Sequence, residues 1–235
     1  MARIPDRARP NRLAQASKVI LGGYFKLYHR FEVIGAENLP AHPPLLGLTN
    51  HISLLDVPAF GLIDPYPNSA LVAKASLLRV PIIAHILRSW GMIPVERHGQ
   101  DLTAVREVLR CLREGRAVAI AAEGTRNRSG GLGEVHPVLA RLAIMAGVPL
   151  VAIAAIGTYQ ALPPGAWVPR PKPVRVAIGP VFDLGYLRDR PRAEAIEEAR
   201  TIIRARLAEL LPPTAKGIAT AEDAEARGGK EVRAG

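Results

Sequence analysis

Short uncharged runs alternate along the chain with longer segments whose apolar residues recur at helical spacing. The short runs predict buried strands, and the longer segments predict helices with one apolar face. The predicted strands are residues 31–35, 45–49, 71–73, 91–97, 117–122, 148–156 and 174–178. The predicted helices are residues 12–30, 55–63, 77–90 with a break at Pro81, 101–114, 138–145 and 192–210. This alternation predicts an α/β fold in which helices flank a largely parallel sheet.

The two ends of the chain differ in character from its middle. Residues 1–30 form a basic N-terminal segment, with seven basic side chains against the single acidic residue Asp6. The helix predicted there can lie on an anionic membrane surface or pack on the protein's own core, and the pattern leaves both open. Residues 31–213 hold the alternating strands and helices. Residues 214–235 are rich in alanine, glycine and charge, and we expect them to be disordered.

The overall composition is that of one globular domain with short appendages, since 49% of the 235 residues are hydrophobic and 22% are charged. The single cysteine, Cys111, excludes an internal disulfide and fits a reducing compartment. Aromatic residues make up only 5% and do not interleave with the basic ones, so we expect no nucleic-acid partner despite a net charge of +10. Glycines and prolines interrupt the uncharged residues 142–169, which favours a helix end, a strand and a loop over a membrane span.

A histidine and an aspartate, His51 and Asp56, directly follow the second predicted strand. A spacing of five separates two side chains by about 140° on an ideal helix. The pair can therefore meet only if His51 lies on the turn and Asp56 reaches back from the first helical turn. Asp56 would then orient the imidazole while His51 removes a proton from a substrate. Taken alone, the segment fits a capped helix start better, with Asn50 or Ser53 as the cap.

A second polar cluster follows the predicted strand 117–122. Gly124 allows a ligand to approach the backbone closely, Thr125 offers a hydroxyl, and Arg126 can hold a phosphate through two donors. Arg97, at the end of another predicted strand, can converge on the same phosphate. The alternative is an ordinary loop in which Glu123 pairs with Arg126 and Arg97 lies in water.

Four blocks of residues occur in a specific order and at specific spacings. They are Asn50-His51 with Asp56 after four further residues, then Gly91, Ile93, Val95 and Arg97, then residues 123–126 with 128–130, and finally residues 148–151. In these blocks the chain resembles the glycerophospholipid acyltransferases of the lysophosphatidic acid acyltransferase type. The resemblance covers about residues 31–213.

The resemblance implies a single glycerol-3-phosphate acyltransferase-like domain that moves an acyl group from acyl-CoA or acyl carrier protein to a lysophospholipid. The simplest acceptor is 1-acyl-sn-glycerol-3-phosphate, which would give phosphatidic acid. Apart from the thioester co-substrate, no cofactor and no metal are expected. The implied partners are the lysophospholipid, the thioester donor and an anionic membrane surface, with the protein peripheral at the cytoplasmic face of the cell membrane. The implied residues are His51 as general base, Asp56 as its orienting partner, and Arg97, Glu123, Gly124, Thr125 and Arg126 as binding residues for glycerol phosphate.

Two departures from the family pattern leave the acceptor open. Ala121-Ala122 stands where the family has Phe-Pro, and residues 135–138 lack the lysine and glycine that the family has there. One phosphate contact is therefore missing, unless a protonated His136 supplies it. The alternatives are an acyltransferase that acts on another lysolipid, an amine or a glycosylated lipid, and a non-catalytic basic module that binds membranes or nucleic acid.

Overall fold

The structure, a computed structural model, describes residues 12–95 and 102–215. The helices are α1 (Arg12–His29), α2 (Asp56–Ile63), α3 (Pro81–Ser89), α4 (Leu102–Arg113), α5 (Pro137–Ala146), α6 (Thr158–Ala161) and α7 (Arg192–Leu210). The strands are β1 (Glu32–Ile34), β2 (Leu45–Thr49), β3 (Ala70–Lys74), β4 (Ile93–Val95), β5 (Ala117–Ala121), β6 (Leu150–Ile156) and β7 (Arg175–Phe182). Short 3-10 turns lie at Ala36–Asn38, Ala75–Arg79, Gly185–Leu187 and Pro213–Ala215.

These strands form one sheet in the order β1-β7-β6-β2-β5-β3-β4. The five strands from β6 to β4 run parallel to one another, while β7 runs antiparallel to β6 and parallel to β1. The predicted α/β fold with a largely parallel sheet and flanking helices is confirmed. The carboxyl ends of the five parallel strands lie at one edge of the sheet, which is where such folds bind ligands.

The two faces of the sheet are covered by different helices. Side chains of α4, α5 and α7 pack on one face in a cluster that includes Val108, Leu142 and Ile203. On the other face, Phe25 of α1 and Phe60 of α2 pack on β2, β6 and β7. The central strand β2 is buried along its whole length because it has helices on both sides. The thiol of Cys111 belongs to the first cluster, and burial raises its pKa, as expected of an unreactive thiol.

Helix α1 packs on the domain with one face and exposes apolar residues on the other. Phe25 and His29 are buried, whereas Leu27 is 86% exposed. The aromatic rings near the end of the helix, Tyr24 and Tyr28, stack on each other with centroids 5.3 Å apart. The packing of α1 on the domain's own core, one of the two alternatives left open by the sequence, is therefore observed, while the apolar residues on the other face of the helix stay exposed.

The uncharged residues 142–169 form the end of α5, the strand β6 and a loop, as predicted, and also the short helix α6, which was not predicted. Among the described residues, no helix combines the length and the apolar character needed to cross a membrane. The helix predicted over residues 77–90 with a break at Pro81 is observed as a 3-10 turn followed by α3, which begins at Pro81 as that break predicts. Proline fits this first position because no intrahelical N–H bond is lost there.

Residues 1–11, 96–101 and 216–235 lie outside the described part of the chain. The expected disorder of the C-terminal tail falls almost wholly on them and stays a prediction. The described chain ends at Ala215, whose carbonyl accepts a hydrogen bond from the Leu132 N–H at 3.0 Å. The packed domain includes this residue.

Candidate active site

The two polar turns that the sequence singles out lie side by side at the carboxyl edge of the sheet. Strands β2 and β5 pair in parallel with Thr49 opposite Ala121, and His51 and Glu123 follow two residues later on each chain segment. The N–H of Asn127 donates to the carbonyl of His51 at 2.8 Å, which joins the two turns directly. The register of the central strands thus fixes the separation of the two clusters.

The side chains of His51 and Asp56 meet across the turn. The distance from His51 Nδ1 to Asp56 Oδ2 is 3.0 Å, and Oδ2 also accepts the N–H groups of Ile52 at 2.7 Å and Ser53 at 2.8 Å. Asp56 is 1% exposed and the His51 side chain 23% exposed. Because a carboxylate only accepts hydrogen bonds, Nδ1 carries the hydrogen and Nε2 is left as the basic nitrogen. The structure brings the predicted pair together, while its catalytic role stays a prediction.

Backbone N–H groups fix the position of the Asp56 carboxylate. Three donors converge on its Oδ2, while Oδ1 is buried without a hydrogen-bond partner among the described residues. A buried carboxylate held by two N–H groups keeps both its position and the orientation of the imidazole that it touches. The turn therefore fixes the imidazole through Nδ1 and leaves Nε2 as the nitrogen that Asp56 does not contact.

Asn50 and Ser53 hold the turn rather than capping helix α2 with their side chains. The amide of Asn50 donates to Ala155 O at 3.0 Å and accepts the Ala155 N–H at 2.8 Å, so it extends the pairing of β2 with β6. The reading of Asn50 as a helix cap is wrong because its side chain is used on the neighbouring strand. Ser53 Oγ accepts the Leu55 N–H at 3.2 Å and donates to Leu162 O at 2.8 Å.

The carboxylate of Glu123 lies between the two turns and faces backbone groups. One oxygen accepts the His51 N–H at 3.1 Å, and the other accepts the Gly133 N–H at 3.2 Å. A Cβ on Gly133 would lie 2.5 Å from Glu123 Oε2, so this close approach requires glycine. These contacts favour a role for Glu123 in positioning the histidine turn over direct contact with a substrate. Gly133 was not singled out from the sequence, because its partner lies ten residues away on another turn.

Burial raises the pKa of Glu123 from its ordinary value of 4.5 to about 7. The two backbone N–H groups and the nearby His51 act in the opposite direction, and Asp56 adds to the increase. Burial is the larger effect, because only two N–H groups replace the water that an exposed carboxylate would bind. The carboxyl group that accepts the His51 N–H therefore has a pKa near neutral pH.

Residues 124–126 form the open side of the site. Gly124 has a φ of 69°, a left-handed conformation that glycine adopts without strain. Thr125 is exposed, while Arg126 is partly buried, and its Nε has no hydrogen-bond partner among the described residues. His136 lies beside this loop, with its Cβ 3.4 Å from where a side chain at Gly124 would begin. Its Nδ1 accepts the Val138 N–H at 3.3 Å, so the ring caps α5.

Arg97, the remaining predicted binding residue, lies outside the described residues, and strand β4 is described only to Val95. A cavity of about 1560 Å³ is lined by Leu45, Ala70 and Ala117, which begin β2, β3 and β5. Its lining includes neither His51 nor Asp56. We place the chemistry at the carboxyl edge because the paired histidine and carboxylate lie there.

Comparison with known proteins identifies the family to which this chain belongs. A sequence model of the protein family described as Acyltransferase matches residues 30–156, which include both polar turns. The 1-acyl-sn-glycerol-3-phosphate acyltransferase of Pseudomonas aeruginosa is 30% identical over 187 residues, covering 78% of this chain and 71% of the relative. The chain belongs to the acyltransferase family. The resemblance inferred from its sequence blocks is confirmed.

Other members of the acyltransferase family match over shorter segments. A chloroplastic 1-acyl-sn-glycerol-3-phosphate acyltransferase of Brassica napus, BAT2, is 26% identical over 142 residues, covering 59% of this chain and 41% of the relative. The chain spans about two fifths of the length of this and other curated relatives. The crystal structure of the 1-acyl-sn-glycerophosphate (LPA) acyltransferase PlsC from Thermotoga maritima superposes with a TM-score of 0.61 at 21% identity. That superposition covers 86% of this chain and 84% of the solved one, so the fold is shared.

Proposed function

We propose that this chain transfers an acyl group from a thioester to the free hydroxyl of a lysophospholipid, most simply 1-acyl-sn-glycerol-3-phosphate, giving phosphatidic acid. The observation that carries the proposal is the contact of His51 Nδ1 with the buried Asp56 carboxylate at 3.0 Å. It leaves Nε2 as a base at the carboxyl edge of the sheet, beside a loop that offers an arginine. Membership of the acyltransferase family and the names of the relatives support the same reaction.

In the proposed reaction, His51 Nε2 removes the proton from the acceptor hydroxyl. At the same time, the hydroxyl oxygen attacks the carbonyl carbon of the thioester. The carbon–sulfur bond breaks, and the imidazolium returns the proton to the departing thiolate. Asp56 stabilises the positive charge on the imidazole between these two steps. No acyl-enzyme and no metal are needed in this scheme, and both points stay predictions.

We propose Arg126 as the main group that binds the phosphate of the acceptor. Its Nε is buried and has no partner among the described residues, so an anion at this position would satisfy a donor that is otherwise left open. Gly124 allows a phosphate oxygen to approach the backbone, and exposed Thr125 can add a hydroxyl donor. Arg97 is proposed as a further cation by resemblance alone.

The identity of the donor and the finer identity of the acceptor are parts of this proposal that the site does not distinguish. Both acyl-CoA and acyl carrier protein present the same thioester carbonyl. The lysine that the family has after the Glu123 loop is absent, and His136, which is exposed beside Gly124, is the candidate replacement. A different lysolipid or an amine acceptor would use the same base and would differ at this side of the site.

We also propose that the protein works as a peripheral protein at the cytoplasmic face of the cell membrane, in contact with anionic lipids. A lysophospholipid acceptor resides in the bilayer, so the site must reach its surface. Helix α1 supports this location because Ile20 and Leu27 are exposed apolar residues close to the basic residues Lys26 and Arg30.

The reaction is tested with purified protein, lysophosphatidic acid, and acyl-CoA or acyl carrier protein as alternative donors, with phosphatidic acid measured by mass spectrometry. We expect Arg126→Ala to raise the KM for lysophosphatidic acid by about tenfold to a hundredfold, because charge-assisted hydrogen bonds are lost. A monoacylglycerol acceptor, which lacks the phosphate, should be acylated equally by the variant and the unchanged protein. Arg106→Ala, an exposed arginine on α4, is the matched control.

Two results would contradict the proposal in different ways. If no lysolipid acceptor gives a diacyl product with either donor, the proposed reaction is wrong. If Arg126→Ala impairs both acceptors equally, the reaction stands but Arg126 does not bind the phosphate.

A further inference from the structure

The loop between α6 and β7 exposes two large apolar residues at the carboxyl edge of the sheet. Trp167 is 96% exposed and Val168 is 75% exposed. Single exposed apolar residues are common on soluble proteins. A fully exposed tryptophan next to an exposed valine places a larger apolar surface in water, which is unfavourable. Such a pair indicates a surface that a binding partner covers.

The loop is a formed structure with hydrogen bonds of its own. The Arg170 N–H donates to Ala161 O at 2.7 Å and closes the base of the loop. The Ala166 N–H donates to Pro163 O at 3.0 Å, just before Trp167. Five prolines between residues 163 and 173 further restrict the backbone. Trp167 and Val168 are therefore presented outward by a defined backbone.

The same loop connects the histidine turn to helix α1. At its beginning, Leu162 O accepts the hydroxyl of Ser53, which lies two residues after His51. Further along, Pro169 O accepts the hydroxyl of Tyr28 at 3.0 Å, and Lys172 O lies 3.0 Å from the Nδ1 of His29. The apolar tip of the loop is thus placed between the site and the last turn of α1.

The adjoining face of α1 is apolar along its length. Its exposed apolar residues recur at helical spacing: Ala16, Val19, Ile20, Tyr24, Leu27 and Tyr28. Residues 12–31 and 157–174 contain no aspartate or glutamate, whereas Lys26, Arg30, Arg170 and Lys172 are exposed there. An apolar face on a helix and a loop whose own charged residues are all basic matches an anionic lipid surface, where tryptophan is favoured at the level of the headgroups.

We propose that Trp167 and Val168 form a second membrane contact, which together with the exposed face of α1 docks the protein on an anionic lipid bilayer beside His51. The inference rests on the proposed function, because it gives the proposed site direct access to an acceptor in the bilayer. Helix α1 provides the extended contact, and the loop fixes the rotation of the protein about that helix. The Ser53–Leu162 and Tyr28–Pro169 hydrogen bonds hold the two contacts and the site in one rigid arrangement.

The experiment measures binding of the full chain to phosphatidylcholine–phosphatidylglycerol vesicles by sedimentation. We expect the double substitution Trp167→Ser with Val168→Ser to weaken vesicle binding by about tenfold or more, the loss expected for one or two buried apolar side chains. Tyr186→Ser, an exposed aromatic residue on the 3-10 turn after β7, is the control and should bind as the unchanged protein does. Vesicles of brominated phosphatidylcholine with phosphatidylglycerol should quench tryptophan fluorescence in the unchanged protein and much less in Trp167→Phe.

Activity on a short-chain acceptor dissolved as monomers separates this proposal from the proposed reaction. The double variant should acylate it at the unchanged rate, while its activity on vesicle-bound acceptor falls together with binding. Unchanged vesicle binding and quenching by the variants would overturn the docking proposal, whatever the activity. Lost activity on the monomeric acceptor would overturn it as well, because these residues would then serve the site or the fold. If the protein binds vesicles as expected but acylates no acceptor, docking stands and the proposed reaction fails.

Discussion

Replacing Asp56 with asparagine tests whether the charge of this residue, and not only its shape, supports His51. Asparagine keeps an oxygen that can accept the N–H groups of Ile52 and Ser53, which lie 2.7 and 2.8 Å from Asp56 Oδ2. It removes the negative charge 3.0 Å from His51 Nδ1. The substitution therefore separates electrostatic support of the imidazolium from the geometry of the turn.

The magnitude follows from this distance. Two unit charges 3.0 Å apart attract by about 5.5 kcal/mol at an effective dielectric constant of about 20. This is an upper limit, because the His51 side chain is 23% exposed and water screens part of the interaction. Converted to a rate, the limit is about 10,000-fold, so we expect kcat to fall by between about 100-fold and 10,000-fold. The KM for the acceptor should change little, because the buried carboxylate does not reach the substrate.

The assay is the initial rate of thiol release from acyl-CoA that depends on added acceptor, with thermal unfolding measured on the same samples. Asp183→Asn is the matched control, since this exposed aspartate accepts the Gly185 N–H and lies after β7, outside the candidate site. The reasoning is refuted if folded Asp56→Asn keeps kcat within about threefold of the unchanged protein. In that case the reaction would not require the Asp56 charge to stabilise a positively charged His51. The main argument for His51 as the general base would then fail.

Two further predictions concern the backbone around the site. The pKa of Glu123 is raised from 4.5 to about 7, so the folded chain holds a proton that the unfolded chain releases between these values. Its contribution to stability is therefore complete below about pH 4.5 and is lost as the pH rises through about 7, by at most about 3 kcal/mol. Thermal unfolding across this window should show a decline that flattens in Glu123→Gln, and an unaltered slope in that variant would contradict the assignment. Asn50→Ala removes the side chain that binds the buried N–H and carbonyl of Ala155. We expect it to lower the free energy of unfolding by about 2–4 kcal/mol, measured by urea titration. Asn68→Ala, at an exposed position, should leave the free energy of unfolding unchanged.

The fold could be predicted because its periodic segments are long and their ends carry clear signals. Helix α7 occupies Arg192–Leu210, the range that its spacing of apolar residues predicts. Buried strands such as β5 are continuous apolar runs in the sequence, since both of their faces are covered. The antiparallel direction of β7 could not be predicted, because a strand's direction depends on how the chain returns to the sheet and leaves no mark on its own pattern.

The site could be predicted in part. His51 and Asp56 are close in sequence, and their spacing defines the turn geometry in which they can meet, although the segment taken alone fits a capped helix start better. The contacts of Glu123 could not be predicted, because its partner His51 is 72 residues away and depends on the register of β2 against β5. Resemblance alone suggested Glu123 as a binding residue, whereas its hydrogen bonds to the backbone favour a positioning role.

Helix α1 shows why a single pattern left two readings open. Apolar residues lie on two faces of this helix. One face packs on the domain with Phe25 and His29, and the other stays exposed at Ile20 and Leu27. Apolar spacing alone cannot say which face meets the domain. The position of the Trp167 loop beside α1 could not be predicted, since it depends on a hydrogen bond between Tyr28 and Pro169.

The most direct test of the proposed chemistry is the acyl-transfer rate of His51→Ala, purified from a host without background activity. The account predicts a fall in acceptor-dependent thiol release of about 100-fold or more, because the general base is removed. His42→Ala, an exposed histidine ahead of β2, should keep the full rate. A His51→Ala protein that is folded and transfers acyl groups at the unchanged rate would contradict the central claim.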